Sequence, residues 1–183
     1  MLRHCLLCLS LLVLPVQAGE LALLNEPGHA LLLRHALAPG VGDPAGFQLE
    51  DCTTQRNLSA QGRQQARQIG DQLRAAGIQN ATVYSSRWCR CLETAELLGF
   101  GEPRPLPAID SFFRSREPDA KAEATAAFQQ HLKAQRDKTA RIYITHQVNL
   151  SALLGGFAGS GSGYLVRLDD ADQPAIVSEF SLD

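Results

Sequence analysis

The sequence predicts an α/β domain: a three-layer α/β/α sandwich in which helices cover both faces of a mostly parallel central sheet that has an antiparallel edge. Two observations predict it. Short apolar runs of strand length alternate with longer segments of helical periodicity, as in parallel α/β sheets. The last two apolar runs flank a short polar turn, which is typical of an antiparallel hairpin. A chain of 183 residues that is 45% hydrophobic is sufficient for one substantial core.

The predicted elements follow one another in a regular order. Parallel strands are expected at residues 30–34, 82–85 and 141–145, helices at 59–76, 90–98, 119–135 and 148–154, and the edge hairpin at 164–168 and 175–180. Ser59 is a suitable N-cap for the first long helix. Because ligands of such sheets bind beyond the carboxyl ends of the strands, we expect His35, Ser85 and His146 at one edge of the sheet.

The first 18 residues have the pattern of a signal peptide. Arg3 gives a positive start, residues 6–16 are almost entirely apolar, and Val16-Gln17-Ala18 has the small-residue spacing of a cleavage site. The apolar stretch is shorter than the ~20 residues of a membrane span. We therefore expect cleavage after Ala18 and a single periplasmic or secreted domain at residues 19–183, without a membrane span; an uncleaved anchor is the alternative.

Composition narrows the classes of function. The formal charge of −2 and the pI near 6.2 give no global basic surface, which argues against a nucleic-acid partner. The chain has no internal repeat, heptad run or low-complexity tract, so a scaffold role has little support. The sequence makes no prediction about oligomeric state.

Arginine and histidine residues cluster where strands end. Arg34 and His35 close the first apolar run, and a neutral imidazole can attack phosphorus while a guanidinium binds phosphate oxygens. Ser85 and Arg90 lie at the start of a predicted helix, where unpaired backbone N–H groups and the helix dipole favour an anion. This pattern indicates a phosphate site.

Four motifs together resemble the histidine phosphatase superfamily, the phosphoglycerate-mutase-like proteins. They stand in that family's order within residues 30–154: Arg34-His35, then Leu58-Ser59 with Gly62 and Gln65-Ala66, then Ser85-Ser86 with Arg90 and Thr94-Ala95, and finally His146. Three positions depart from the family pattern. Ala36 stands where many members have glycine, Arg87 where proline is usual, and Gln147 where glycine is frequent. None of the three removes a phosphate ligand, so substrate choice is the property most affected.

The resemblance implies two-step phosphoryl transfer through a phosphohistidine on His35, with no metal or cofactor. Arg34, Arg90 and His146 would hold the phosphoryl oxygens and offset their charge. Further substrate contacts are expected from Ser85, Arg56 and Asn57. Asp110 is expected to protonate the leaving group, with Glu50 and Asp51 as alternatives.

The implied activity is that of an exported phosphomonoesterase acting on a small phosphorylated substrate. Exported relatives suggest sugar phosphates or the heptose phosphate of lipopolysaccharide, and the short segment at residues 98–116 leaves the pocket open. Two alternatives are a phosphohistidine-protein phosphatase, as in small bacterial members of the family, and a non-catalytic envelope protein that binds phosphate or a phosphosugar.

Three cysteines remain after the predicted cleavage: Cys52, Cys89 and Cys91. In an oxidising compartment we expect Cys52 to bridge either Cys89 or Cys91, which would tie two phosphate-binding segments together. Residues two apart on a helix point in different directions, so Cys89 and Cys91 are not expected to bridge each other. One thiol stays free in either case.

Overall fold

The computed structural model describes residues 16–115, 117–138 and 140–182. Six strands form its sheet: β1 (His29–Arg34), β2 (Thr82–Ser85), β3 (Arg104–Pro105), β4 (Arg141–Thr145), β5 (Gly163–Leu168) and β6 (Pro174–Phe180). The α-helices are α1 (Val16–Leu21), α2 (Ala60–Ala75), α3 (Cys89–Leu97), α4 (Ala120–Ala134) and α5 (Gln147–Leu154). Short 3-10 turns lie at Ala22–Asn25, Cys52–Thr54 and Pro107–Ile109.

The strand order is β3-β2-β4-β1-β5-β6. The pairs from β3 to β1 are parallel, whereas β5 pairs antiparallel with both β1 and β6. The predicted sheet with its antiparallel edge is therefore confirmed. The two-residue strand β3 was not predicted, because so short a segment has no periodicity that could be recognised.

Both faces of the sheet are covered, which explains the continuous apolar run in β1. Leu31 and Leu33 point into a core shared with α2 and α3, while Leu32 points into a second core formed with α4 and α5. Successive side chains of a strand alternate between faces, so a strand buried on both sides needs apolar residues at every position. The three layers follow from this arrangement.

Helix α2 begins as the sequence predicts. The Ser59 hydroxyl accepts a hydrogen bond from the Gly62 amide at 3.0 Å and so caps the helix. Gly62 packs directly on the backbone of Leu37, where a Cβ atom would lie 2.1 Å from the Leu37 carbonyl oxygen. Glycine at this position therefore lets the helix approach the segment that follows β1.

The first core residues that the structure describes lie a few positions after the predicted cleavage site. Leu21 and Leu24 are buried in the core on the α2 face. The proposed cleavage after Ala18 falls within α1, and residues 1–15 of the predicted signal peptide lie outside the described residues. Over the described part of the chain, no helix is both long and apolar enough to cross a membrane.

Candidate active site

The carboxyl ends of three neighbouring parallel strands meet at one edge of the sheet. The His35 amide donates to the Thr145 carbonyl at 3.0 Å, and the Ser86 amide donates to the Ile144 carbonyl at 2.9 Å. These bonds continue the sheet for one residue and place His35, Ser86 and His146 side by side. The ring centroids of the two histidines are 5.6 Å apart.

His35 is held as a neutral ring with one nitrogen turned to the site. Its Nδ1 lies 2.8 Å from the Ala36 carbonyl oxygen, which can only accept, so Nδ1 carries the proton. Nε2 then carries no proton, and its lone pair accepts from Arg90 Nε at 3.2 Å. Burial, followed by the charge of Arg90, lowers the pKa of His35 to about 3. The ring is therefore neutral and nucleophilic near neutral pH.

The segment after His35 is fixed by the family motifs of α2 and α3. The Thr94 hydroxyl accepts from the Ala36 amide at 3.1 Å and donates to the Arg90 carbonyl at 2.6 Å. The Gln65 side chain accepts from the Leu37 amide at 3.0 Å and donates to the Ser160 carbonyl at 2.8 Å. Thr94 and Gln65 thus fix the backbone on the carboxyl side of His35.

Arg90 is oriented by a buried acid that the sequence analysis did not identify. The Asp43 carboxylate accepts from Arg90 Nη1 at 2.7 Å and from Nη2 at 3.3 Å, and both side chains are less than a tenth exposed. Asp43 also accepts from Trp88 Nε1 at 3.1 Å and from the Arg56 amide at 3.1 Å. Burial opposes ionisation of Asp43, but the bonds from Arg90 and Arg56 outweigh it and keep its pKa below the usual value.

His146 faces Arg90 with one nitrogen and Ser86 with the other. Arg90 Nη2 lies 3.4 Å from Nδ1, and the Ser86 hydroxyl lies 2.8 Å from Nε2. Because a guanidinium can only donate, Nδ1 accepts and Nε2 carries the proton. Burial, then the neighbouring His35 and Arg90, holds the pKa of His146 well below its usual value.

Two further arginines border the same space. Arg34 donates from Nη1 to the Ala158 carbonyl at 3.2 Å, and its buried Nε–H has no acceptor among the described residues. Arg56 donates from Nε to the Gly42 carbonyl at 2.9 Å and also bonds the Ala38 carbonyl. Their guanidinium groups add positive charge beside the two histidines.

Two other residues that the sequence singled out lie outside the cavity lining. Ser85 is buried and donates to the Ser86 carbonyl at 2.8 Å, so its neighbour Ser86 is the serine that contacts His146. Asn57 donates to the Cys52 carbonyl at 2.6 Å and to the Gln55 carbonyl at 3.2 Å, which stabilises its own loop. The side chains of adjacent serines point in different directions, and the sequence alone did not show which of the two contacts His146.

Asp110 lies behind His146 rather than in the cavity. Its carboxylate forms a 2.6 Å ion pair with Arg87 and accepts from the Arg87 amide at 2.8 Å. The Ser86 hydroxyl lies 3.1 Å from Asp110 Oδ1, so a chain of hydrogen bonds links Asp110 through Ser86 to His146. The alternative Asp51 caps its own loop by accepting from Thr53.

A cavity of about 470 Å³ opens over these groups. We call Arg34, His35, Arg90 and His146 its floor. The remaining lining residues are Gly40, Val41, Gly42, Asp43, Phe47, Arg56, Trp88, Ser111, Phe113, Arg114, Ser115, Gln147, Val148 and Phe157. Four arginines and one acid, itself bound to Arg90, make the cavity strongly cationic. A neutral nucleophilic nitrogen among guanidinium groups suits a phosphate ester.

A disulfide ties two segments of this site. Cys52, in the loop that carries Asp43 and Arg56, is bonded to Cys89, the first residue of α3 next to Arg90. The predicted bridge is therefore present, and the structure selects Cys89 as the partner. Of the cysteines that the structure describes, Cys91 is the free one, and it is buried. Among the described residues, no group of three or more His, Cys, Asp or Glu side chains is arranged to hold a metal ion.

Comparisons with known proteins agree with this fold. Three solved structures share it, with broad coverage at low identity. The protein histidine phosphatase SixA complexed with tungstate has 19% identity and a TM-score of 0.55 over 84% of this chain and 96% of that one. Phosphoserine phosphatase from Entamoeba histolytica has 16% identity and a TM-score of 0.62 over 84% and 97%. Phosphoglycerate mutase from Thermus thermophilus has 22% identity and a TM-score of 0.51 over 85% and 99%.

At these identities the likeness to solved structures shows the fold alone. No curated protein matches the chain by sequence. A sequence model described as the histidine phosphatase superfamily (branch 1) matches residues 31–112, which include Arg34, His35, Arg90 and Asp110. Residues 31–112 of the chain are therefore similar to the histidine phosphatase superfamily.

Proposed function

We propose that this protein is an exported phosphomonoesterase that works through a phosphohistidine on His35. One observation carries the proposal: His35 has its proton on Nδ1, bound to the Ala36 carbonyl, and its Nε2 lone pair turned toward Arg90. Once a phosphate ester displaces the hydrogen bond from Arg90, this nitrogen can attack the phosphorus, because it has no proton to lose first.

In the first step, a bond forms between His35 Nε2 and phosphorus while the bond from phosphorus to the ester oxygen breaks. The ring becomes cationic, and the Ala36 carbonyl, at 2.8 Å from Nδ1, stabilises the added charge. Arg34 and Arg90 border the same space and offset the charge that spreads over the phosphoryl oxygens, while the neutral His146 ring borders it and accepts from Arg90. The leaving oxygen takes up a proton from solvent and the alcohol departs.

In the second step, water attacks phosphorus and the P–N bond breaks. Inorganic phosphate is released with the hydroxyl group of the water, the second proton of the water passes to solvent, and His35 returns to its neutral form. Arg56 contributes positive charge from the loop held by the disulfide. Asn57 and Ser85, which lie outside the lining, contribute to the backbone framework.

The signal-like residues 1–18 and the Cys52–Cys89 disulfide support export. Disulfides persist in oxidising compartments such as the bacterial periplasm. The intact mass of protein purified from an exporting host tests this part of the proposal. We expect the mass of residues 19–183 with one disulfide; a mass that includes residues 1–18 would contradict cleavage.

The activity is tested by phosphate release from p-nitrophenyl phosphate in EDTA. We expect wild type to be active and His35→Ala to be inactive. His29→Gln, at the other end of β1, is the matched control and should retain activity. Alkaline peptide mapping after a short reaction should locate phosphate on His35. Phosphate binding without turnover in wild type would overturn the proposal in favour of a binding protein.

A further inference from the structure

The mouth of the cavity is apolar, in contrast to its cationic floor. We call its six apolar side chains the rim: Val41, Phe47, Trp88, Phe113, Val148 and Phe157. They come from the loop after β1, the start of α3, the segment after Pro107–Ile109, helix α5 and the loop after it. The rim is therefore assembled from separate parts of the chain around one opening.

The rim holds most of the large apolar side chains that the described surface exposes. Val41 is 84% exposed, Phe157 77% and Phe113 55%, and the other two exposed large hydrophobics, Ile176 and Val177, lie on the edge strand β6. A single exposed apolar side chain is ordinary, but a cluster around a ligand cavity indicates a surface that contacts an apolar group.

The rim begins next to the reacting centre. The Trp88 ring lies 5.4 Å from the His146 ring and 5.7 Å from the Phe47 ring, measured between centroids. Trp88 Nε1 donates to Asp43, so the polar atom of the indole is turned to the protein. The organic group of an ester bound at His35 would therefore meet aromatic carbon directly beyond the phosphate.

Several polar side chains at the mouth of the cavity already bond the protein. Gln147 donates to the Ser151 hydroxyl at 2.8 Å and accepts from the Ala158 amide at 2.8 Å. Arg114 donates to the Asp43 carbonyl at 2.6 Å. The Ser111 hydroxyl accepts from the Phe113 amide at 3.4 Å. The Gln147 amide is thus fully used by the protein, so a substrate hydroxyl group beside it would lose water without gaining a hydrogen bond from it.

We propose that the substrate is a phosphate monoester whose organic part is an apolar alkyl or aryl group. The floor binds the phosphate and the rim binds the organic group, and the cavity of about 470 Å³ fits a small molecule. This inference rests on the proposed function and refines its substrate. It differs from the sugar phosphates and heptose phosphate that the resemblance suggested.

The first test compares n-hexyl phosphate with glucose 6-phosphate. Both are six-carbon esters of a primary alcohol, so they differ mainly in hydroxyl groups. We expect kcat/KM to be at least about 10-fold higher for n-hexyl phosphate, since each buried methylene contributes about 0.8 kcal/mol, or roughly 4-fold. Equal or higher kcat/KM for glucose 6-phosphate would overturn the inference and leave the proposed phosphatase activity standing.

A second experiment substitutes residues of the rim. Phe113→Ser with Phe157→Ser removes two exposed side chains, so folding should be preserved, and Val177→Ser on β6 is the matched control. We expect the preference for n-hexyl phosphate to fall about 10-fold in the double variant and to persist in the control. Inhibition by inorganic phosphate should be unchanged in both. An unchanged preference in the double variant would contradict a role for the rim.

Binding measurements separate the two proposals. In His35→Ala, calorimetry with n-hexylphosphonate and inorganic phosphate needs no turnover, and we expect the phosphonate to bind at least about 10-fold more tightly. Equal affinities would overturn the apolar site. 1-Naphthyl phosphate compared with n-hexyl phosphate then shows whether the organic group is aromatic or an alkyl chain. Wild type that hydrolyses none of these esters would overturn the proposed function alone.

Discussion

The floor and the rim of the cavity are built in different ways. His35 and His146 follow directly on strands β1 and β4, Arg34 is the last residue of β1, and Arg90 lies in the first turn of α3, so the core of the fold fixes the floor. The rim lies mainly on loops and exposes Val41 and Phe157 to solvent. In the proposed function the reaction takes place on the rigid sheet edge and the loops select the substrate, so loop residues can change without altering the reacting groups.

The largest effect should come from breaking the floor. We expect Arg90→Ala to lower kcat for p-nitrophenyl phosphate about 10²- to 10³-fold, because the guanidinium joins Asp43, His35 and His146 and offsets phosphoryl charge. Arg63→Ala, which removes a partly exposed ion pair with Glu93 between α2 and α3, is the control and should remain active. A decrease in kcat of less than a few-fold in Arg90→Ala would mean that activity does not depend on this guanidinium.

The next effect concerns the disulfide between the loop after β1, which carries Val41 and Phe47 of the rim, and helix α3, which carries Arg90 of the floor. The double variant Cys52→Ser with Cys89→Ser opens a loop with a sequence separation of 37 residues. We expect its free energy of unfolding in urea to fall by about 2–4 kcal/mol. Dithiothreitol should destabilise wild type to a similar extent and have no effect on the variant. If dithiothreitol did not lower the stability of wild type, the disulfide would contribute little to the free energy of unfolding.

The pH dependence of stability tests whether the His35 ring in the floor is buried and neutral. In the folded protein the pKa of His35 is about 3, whereas an unfolded histidine protonates near a pKa of about 6.5. Below about pH 6.5 the unfolded chain therefore binds more protons, so stability falls as the pH drops from about 6.5 toward 3, by up to about 1.4 kcal/mol per unit from His35. Urea titrations in phosphate-free buffer should show a shallower fall in His35→Gln. Identical slopes would contradict a buried neutral ring.

A smaller effect is expected from Asp110→Asn, behind the floor. Because Asp110 bonds Arg87 and reaches His146 only through Ser86, we expect about a 10-fold lower kcat for both p-nitrophenyl phosphate and n-hexyl phosphate. Ser85→Ala is the control. A selective loss with the alkyl ester, whose leaving group needs a proton, would instead make Asp110 the proton donor that the sequence suggested.

Much of the floor could be predicted because its residues stand at the ends of periodic elements. The apolar runs that end in His35 and His146 are strands buried on both faces, and the Ser59 cap marks the start of α2. The same regularity predicted the sheet and its antiparallel edge.

Asp43 and the rim could not be predicted, for a physical reason. Asp43 lies in a loop without periodicity, and its role depends on a long-range pairing with Arg90, 47 positions away. Phenylalanine is usually buried in a core, and only the fold shows that Phe113 and Phe157 remain at the surface. Contacts between distant loops leave no local pattern in a single sequence.

The burial of Cys91 has a consequence for how the chain acquires its bridge. Thiol–disulfide exchange requires a thiolate, and burial raises the pKa of Cys91 to about 12. Once α3 has packed, this thiol can neither attack the neighbouring Cys52–Cys89 bond nor react readily with oxidants. Cys91 is thereby kept from exchanging with the bridge, so folding itself preserves the Cys52–Cys89 pairing.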